Sequence, residues 1–197
     1  MFSGIIEDIG KVKVFEKLID FHLVISTKKK YKEIKKGSSI CCDGVCLTVH
    51  TIKRYKGNTE MSFDVSEETF NCTNFKDLKL NHSINLEKSL RVGDEISGHF
   101  VFGHVDEEAI VSEIRKVGDS HLLKIKISRR VSKYLVKKGS VAINGVSLTV
   151  NAINKNQISL NIIPFTWNHT NLQFLKVGSR INLEVDMLAR YVTKNLK

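Results

Sequence analysis

Proline is almost missing from this chain: Pro164 stands alone among 197 residues. A proline-rich linker is therefore excluded. No uninterrupted apolar run approaches the ~18–20 residues that a membrane span needs. The opening Met1-Phe2-Ser3-Gly4-Ile5-Ile6-Glu7 has no basic stretch followed by an apolar one, so it does not read as a secretory leader. No membrane partner and a cytoplasmic location are the expectations. Cysteine is also scarce. Cys41, Cys42, Cys46 and Cys72 lie in the first half, with no CxxC pair and no second pair at metal-site spacing. Free thiols are expected rather than disulfides, and no metal.

Acidic residues are outnumbered, 21 against 31 basic ones, which leaves a formal charge of +10. Such a surplus raises nucleic acid as a partner. Its densest stretch is 28–36, where six of nine residues are lysine. No aromatic-rich strand motif of the RNA-recognition type accompanies it, so the charge reads as a lysine-rich surface and no nucleic-acid partner is expected. Apolar content is ordinary, 42% hydrophobic against 26% charged, which excludes wholesale disorder. At about 150 residues per domain the length allows one or two domains.

The chain contains itself twice. Gly44-Val45-Cys46-Leu47-Thr48-Val49 returns as Gly145-Val146-Ser147-Leu148-Thr149-Val150, identical at five of six positions. Each copy follows a Lys-Lys-Gly-Ser start, at 35–38 and 137–140. Residues 69–87 match 166–184 at ten of nineteen positions. A weaker match sets Phe2–Ile6 against Val101–Val105, anchored on Gly4 and Gly103. A period of about 100 residues is too long for a solenoid and fits two duplicated domains. The halves are placed at 1–88 and 89–186, with a tail at 187–197.

Each half reads as β. Val45, Leu47 and Val49 alternate with Cys46, Thr48 and His50, so the two sets face opposite sides of a strand. Further strands are predicted at 21–27, 61–65, 122–128, 158–163 and 180–185 from their β-branched and aromatic content. Turn signals such as Lys36-Gly37-Ser38, Lys56-Gly57-Asn58, Val92-Gly93-Asp94 and Val177-Gly178-Ser179 separate them. The fold class expected is mainly all-β: two homologous six-stranded antiparallel Greek-key β-barrels, each closed so that no edge is left exposed. Short helices are predicted at 128–137 and at 187–196, where Met187, Leu188, Tyr191 and Val192 share one face; the counterpart at 27–36 is too lysine-rich to form much apolar face.

Three places can carry chemistry. On the repeated strand a thiol or hydroxyl is followed by threonine on the polar face, Cys46 and Thr48 in one half, Ser147 and Thr149 in the other. A solvent-facing polar stripe explains one copy; two copies favour a wall that hydrogen-bonds a polar heterocycle. Gly98-His99 and Gly103-His104 put histidines after glycines that permit close backbone approach, and histidine is the usual acid or base near neutral pH. A pair of structural histidines is the plainer alternative. Thr69 and Thr166 sit where a strand gives way to a turn or short helix, as caps or as part of a binding edge.

In this order, these residues resemble the riboflavin synthase family over essentially the whole chain. The carriers are the Met1–Ile6 start, Gly44–Val49, Gly98-His99 with Gly103-His104, Gly145–Val150 and Ile163-Pro164-Phe165-Thr166. The resemblance implies a transferase in riboflavin biosynthesis that dismutates two molecules of 6,7-dimethyl-8-ribityllumazine without cofactor or metal. It implies a homotrimer with active sites between the N-terminal barrel of one subunit and the C-terminal barrel of its neighbour, a tail helix at the trimer contact, and lumazine synthase as a further partner.

Carried over by position, one pocket takes Gly4, Ile5, Ile6, Cys46, Leu47, Thr48 and Asp64, Val65, Ser66, Glu67, Glu68, Thr69. The other takes Gly103, His104, Val105, Ser147, Leu148, Thr149 and Asn161, Ile162, Ile163, Pro164, Phe165, Thr166, with Lys138 reaching across the interface. His104 is the expected proton-handling residue. Cys46 and Ser39 would line the ring that receives a nucleophile, and Asp186 would orient a partner. Phe165 stands where the family more often carries a polar or charged residue, and the tail is shorter than the family's. Lumazine-binding antenna proteins share the two-barrel build without chemistry; Cys46, His104 and both threonines favour the enzyme.

Overall fold

The computed structural model describes residues 1–17, 20–55 and 57–195. Lys56 of one expected turn and Leu196 of the expected tail helix lie outside them. Six strands make the first half: β1 (Asp8–Lys17), β2 (Phe21–Thr27), β3 (Ser39–Cys42), β4 (Val45–Tyr55), β5 (Asn58–Val65) and β6 (Ser83–Lys88). Six more make the second: β7 (Glu107–Val117), β8 (Ser120–Lys126), β9 (Ser140–Ile143), β10 (Val146–Asn154), β11 (Gln157–Ile162) and β12 (Arg180–Val185). Each set closes into an antiparallel barrel, β1-β2-β5-β4-β3-β6 and β10-β11-β8-β7-β12-β9. Closure pairs every strand on both sides, which removes the exposed edges that invite aggregation.

Alternation decides which residues fill each barrel. Leu23, Ile25, Val49, Phe63, Ile84 and Leu86 are fully buried in the first, Leu123, Ile125, Val150, Leu160, Ile181 and Leu183 in the second. The duplication extends to irregularities. Bulges interrupt β1 after Val12 and β7 after Val111, and β4 after Val49 and β10 after Val150. A bulge bends the strand and tightens its twist, which a small barrel needs at its corners.

The helices follow the sequence less closely. α2 is a short helix over Arg129–Ser132, capped by Ser128. The matching stretch after Thr27 forms no helix. There Tyr31 and Ile34 plug the barrel, 1% and 4% exposed, and the Arg54 guanidinium donates to both of their carbonyls at 2.6 Å. One side chain thus satisfies carbonyls that a helix would have paired internally.

Between the barrels runs a pseudo-two-fold contact. Phe2 and Val101 bridge through paired backbone bonds of 2.7 and 3.0 Å and pack with Cys41 and Ala142. Gly44 and Gly145 meet back to back: a Cβ on Gly44 would come within 2.8 Å of the Gly145 nitrogen, and one on Gly145 within 2.9 Å of the Gly44 nitrogen. All four cysteines are free, and burial pushes the Cys41 and Cys42 thiols up.

Candidate functional site

The leading segments of the two halves are exchanged. The carbonyl of Gly4 accepts from Ser147 N at 2.8 Å, and that of Gly103 accepts from Cys46 N at 2.9 Å. Ile6 packs on the core of barrel two and Val105 on that of barrel one. This corrects the grouping expected from the sequence. Gly4–Ile6 belong with Ser147–Thr149, and Gly103–Val105 belong with Cys46–Thr48. The glycines are required. Each has φ near +78°, and a Cβ on either would lie 2.6 Å from the Cβ of the residue it covers, an approach only glycine tolerates.

On barrel one the exchange builds a cleft of about 260 Å³ lined by Val45, Cys46, Glu68, Thr69, Cys72, Thr73, Gly103, His104 and Val105. Of the residues predicted from sequence, it unites Cys46, Glu68, Thr69, Gly103, His104 and Val105. Thr48 follows on the exposed face of β4, with Ser39 opposite it in the register. Beyond Thr48, His50 Nδ1 lies 2.7 Å from Asp64 Oδ2, so Asp64 sits at the far end of this stripe. Leu47 and Val65 point into the barrel core instead. Cys72, Thr73 and Val45 line it too, though none is among the predicted site residues; Val45 and Thr73 do fall in the repeated segments.

Barrel two repeats the stripe with Ser147 and Thr149, and Asn151 stands where His50 stands, its side-chain oxygen accepting from Asn161 N at 2.8 Å. Leu148 and Ile162 are core residues. Ile163, Phe165 and Ile5 are exposed, 54%, 68% and 46%. Phe165 stacks on His169, ring centres 4.2 Å apart. Lys138 is exposed just before β9, with φ +71°, its N–H donating to Val150.

Two helices frame these stripes: α1 (Glu67–Cys72) and α3 (Pro164–His169). The cap of α1 is Ser66, which accepts from Thr69 N; α3 has Ile163 at its cap, without a side-chain bond, and Pro164 in its first turn. Thr69 and Thr166 therefore lie inside helices rather than capping them. Their carbonyls accept from the hydroxyls of Thr73 and Thr170 at 2.7 and 2.8 Å.

One candidate histidine gains a partner that sequence alone did not assign. His99 is buried, its Nδ1 2.7 Å from Ser147 Oγ. Burial pulls its pKa down, favouring the neutral imidazole, and the nearby Asp186 carboxylate opposes this. Asp186 also accepts from Leu188 N at 3.0 Å, starting α4 (Met187–Asn195). Among the described residues no group of three or more histidine, cysteine or carboxylate side chains is placed to hold a metal, and no helix is long and apolar enough to cross a membrane.

A polar stripe, a glycine strap and a helix edge are made twice, which defines a two-domain protein of paired, duplicated β-barrels. The lumazine binding domain family matches residues 3–89 and 102–186, and the chain belongs to that family. It is 39% identical to the riboflavin synthase of Brucella abortus, over 98% of this chain and 97% of the relative. It is 39% identical to that of Photobacterium phosphoreum, over 100% and 89%, and 32% to that of Bacillus subtilis, over 100% and 90%. Among solved structures, LumP with riboflavin superposes with a TM-score of 0.81 at 26% identity, covering 94% of this chain and 99% of LumP. LumP with 6,7-dimethyl-8-(1'-D-ribityl) lumazine gives 0.79 at the same identity and coverage.

Proposed function

We propose that the chain is an enzyme with riboflavin synthase activity, a transferase. Two molecules of 6,7-dimethyl-8-ribityllumazine react; one gives four carbons to the other, yielding riboflavin and 5-amino-6-ribitylaminouracil. The single observation that carries this reading is the pair of like stripes, Cys46/Thr48 and Ser147/Thr149, each under a glycine strap from the other half. One substrate used twice needs two similar pockets, and holding both rings together converts an encounter into an intramolecular step.

In this reading His104, on the rim of the cleft in barrel one, takes a proton from the acidic 7-methyl group of a bound lumazine. Cys46, with Ser39 opposite Thr48, lines the ring that receives a nucleophile. Asp186 orients His99 electrostatically. The domains are 1–88, 89–186 and a tail at 187–197. The exposed Leu188, Tyr191 and Val192 on α4 support a subunit contact in a homotrimer, with each catalytic site shared between neighbouring subunits. A cytoplasmic location and lumazine synthase as a protein partner complete the reading.

The test is incubation of the protein alone with the lumazine, followed by detection of riboflavin. Product is expected in a one-to-one ratio with the uracil. Tight fluorescent binding without product would instead make the chain an antenna protein, a reading that its likeness to LumP keeps in view. Sedimentation at several concentrations tests the trimer.

A further inference from the structure

Two buried carboxylates have no role in the chemistry above. Glu87 is the penultimate residue of β6 and Glu184 that of β12, each 2% exposed. Glu87 accepts from Ser3 N at 2.7 Å, Ser3 Oγ at 2.8 Å and Gly4 N at 3.0 Å. Glu184 accepts from Phe102 N at 2.8 Å, Gly103 N at 2.9 Å and His104 N at 3.2 Å. The glycine in each segment has positive φ, which turns successive N–H groups towards one point and makes a concave anion site. Here the anion is the protein's own side chain.

The exchange of segments gives this bond its consequence. Glu87 belongs to barrel one, yet the segment it grips goes on to cover Ser147 in barrel two. Glu184 belongs to barrel two, yet its segment covers Cys46 in barrel one and carries His104. We propose that Glu87 and Glu184 are reciprocal positioning residues, each barrel's carboxylate fixing the strap that completes the other barrel's pocket. This rests on the functional reading above for what the pockets bind. Charge-assisted bonds to three donors are stronger than neutral ones, so each strap is held at a fixed height over its stripe. Burial raises the pKa of both carboxylates, and the backbone donors counter it.

The crossing is what a merely structural role does not predict. Trp167, the only tryptophan, follows Thr166 in α3, so its quenching reports the pocket of barrel two, while ligand fluorescence reports both. In a titration of the full chain with riboflavin, Glu87→Gln is expected to weaken the tryptophan-quenching site roughly tenfold and leave the other within about twofold. Glu184→Gln is expected to do the reverse and to lower turnover through His104. Glu184→Asp and Ser3→Ala, milder changes, are expected to move the same pockets by a few-fold. If each variant weakens its own barrel's pocket, or both pockets equally, the proposal is overturned. Amide exchange separates it from the functional reading. Glu184→Gln must speed exchange at 102–104 and not at 3–4; unchanged exchange overturns the strap itself. A wild-type chain that binds riboflavin in neither pocket overturns the functional reading, and the positioning role with it.

Discussion

Where the first repeat presents Ser66 and Glu68 beside its stripe, the second presents Ile163 and Phe165; where the strap over barrel one carries His104, the strap over barrel two carries Ile5. Duplication kept the parts that set geometry in both halves: the Gly-Val-x-Leu-Thr-Val strand, the strap glycine and the buried glutamate. The rims were free to diverge, and at these positions barrel one is polar or ionisable and barrel two apolar. In the proposed reaction two copies of one substrate would thus meet different surroundings, one ring beside His104 and the other beside Phe165, as a reaction between unlike partners requires.

The sharpest way to break that comparison is at the straps. His104→Ala is expected to lower turnover on the order of 10²-fold, the usual worth of a positioned acid or base, with riboflavin binding nearly unchanged. Ile5→Ala, at the matched place, is expected to cost only a few-fold in turnover. Steady-state rates on the lumazine decide it. Equal losses would make the rims equivalent, and a larger loss at Ile5 would move the proton chemistry to barrel two.

The second asymmetry lies on the pseudo-dyad. Asn144 and Asp43 occupy matched turns. Asn144 donates to Asn171 Oδ1 at 3.4 Å; Asp43 accepts from Asn85 N at 2.7 Å and Asn171 Nδ2 at 2.8 Å. Asn74, the mate of Asn171, has a buried Oδ1 without a partner among the described residues. Burial pushes Asp43 up to about 8, against the pull of its two donors. A folded pKa above the unfolded one means stability is fully present below about pH 4 and is lost as pH rises towards 8, by up to a few kcal/mol. Asp43→Asn removes that titration and supplies the missing donor on the pattern of Asn144. The urea midpoint is expected to become flatter between pH 4 and 8 and to exceed wild type at pH 8. A variant with an unchanged slope would show that Asp43 is not the group responsible.

How much of this was legible beforehand depends on whether the determinant was local. β2 at Phe21–Thr27 and β12 at Arg180–Val185 coincide with the predicted spans, because local strand-forming residues mark both, although only β2 alternates buried with half-buried residues and β12 is buried from Ile181 to Val185. The stretch 27–36, too lysine-rich to offer a helix much apolar face, forms none; what the sequence did not show is that Arg54, distant in sequence, takes the carbonyls of Tyr31 and Ile34. The exchange of straps left no mark in the repeat, since Gly4 and Gly103 would look the same if each covered its own barrel. Glu87 and Glu184 were visible as identities between the halves, but a glutamate near the end of a strand reads as a solvated charge until its three donors are seen. The candidate site was therefore legible as a set of residues and not as an assembly.

Rim chemistry predicts a smaller effect. Phe165, stacked on His169, offers barrel two an aromatic face where barrel one has Glu68. Phe165→Glu makes the rims alike. It is expected to weaken the tryptophan-quenching riboflavin site several-fold, in line with about 0.5–1.5 kcal/mol for an aromatic pair, and to leave the site in barrel one unchanged. Equal affinity in wild type and variant would show that the aromatic face contributes nothing to this pocket.

The smallest effect concerns the helix starts. Each helix has N–H groups in its first turn with no partner inside the helix. In α1 one of them, Thr69 N, donates to Ser66 Oγ at 3.2 Å, and Glu67 and Glu68 add negative charge at the positive end of the helix. In α3 Pro164 carries no N–H, so one orphan is removed rather than satisfied, and its ring presets φ for the first turn. Ser66→Ala is expected to lower stability by about 1 kcal/mol, read as a shift in the urea midpoint. Ile163→Ser gives α3 the cap that α1 already has and is expected to raise stability by a few tenths of a kcal/mol, less than a cap usually contributes, because proline has already removed one unsatisfied donor. A gain at Ile163 as large as the loss at Ser66 would show that the two solutions are not interchangeable and that Pro164 was kept for the shape of the rim.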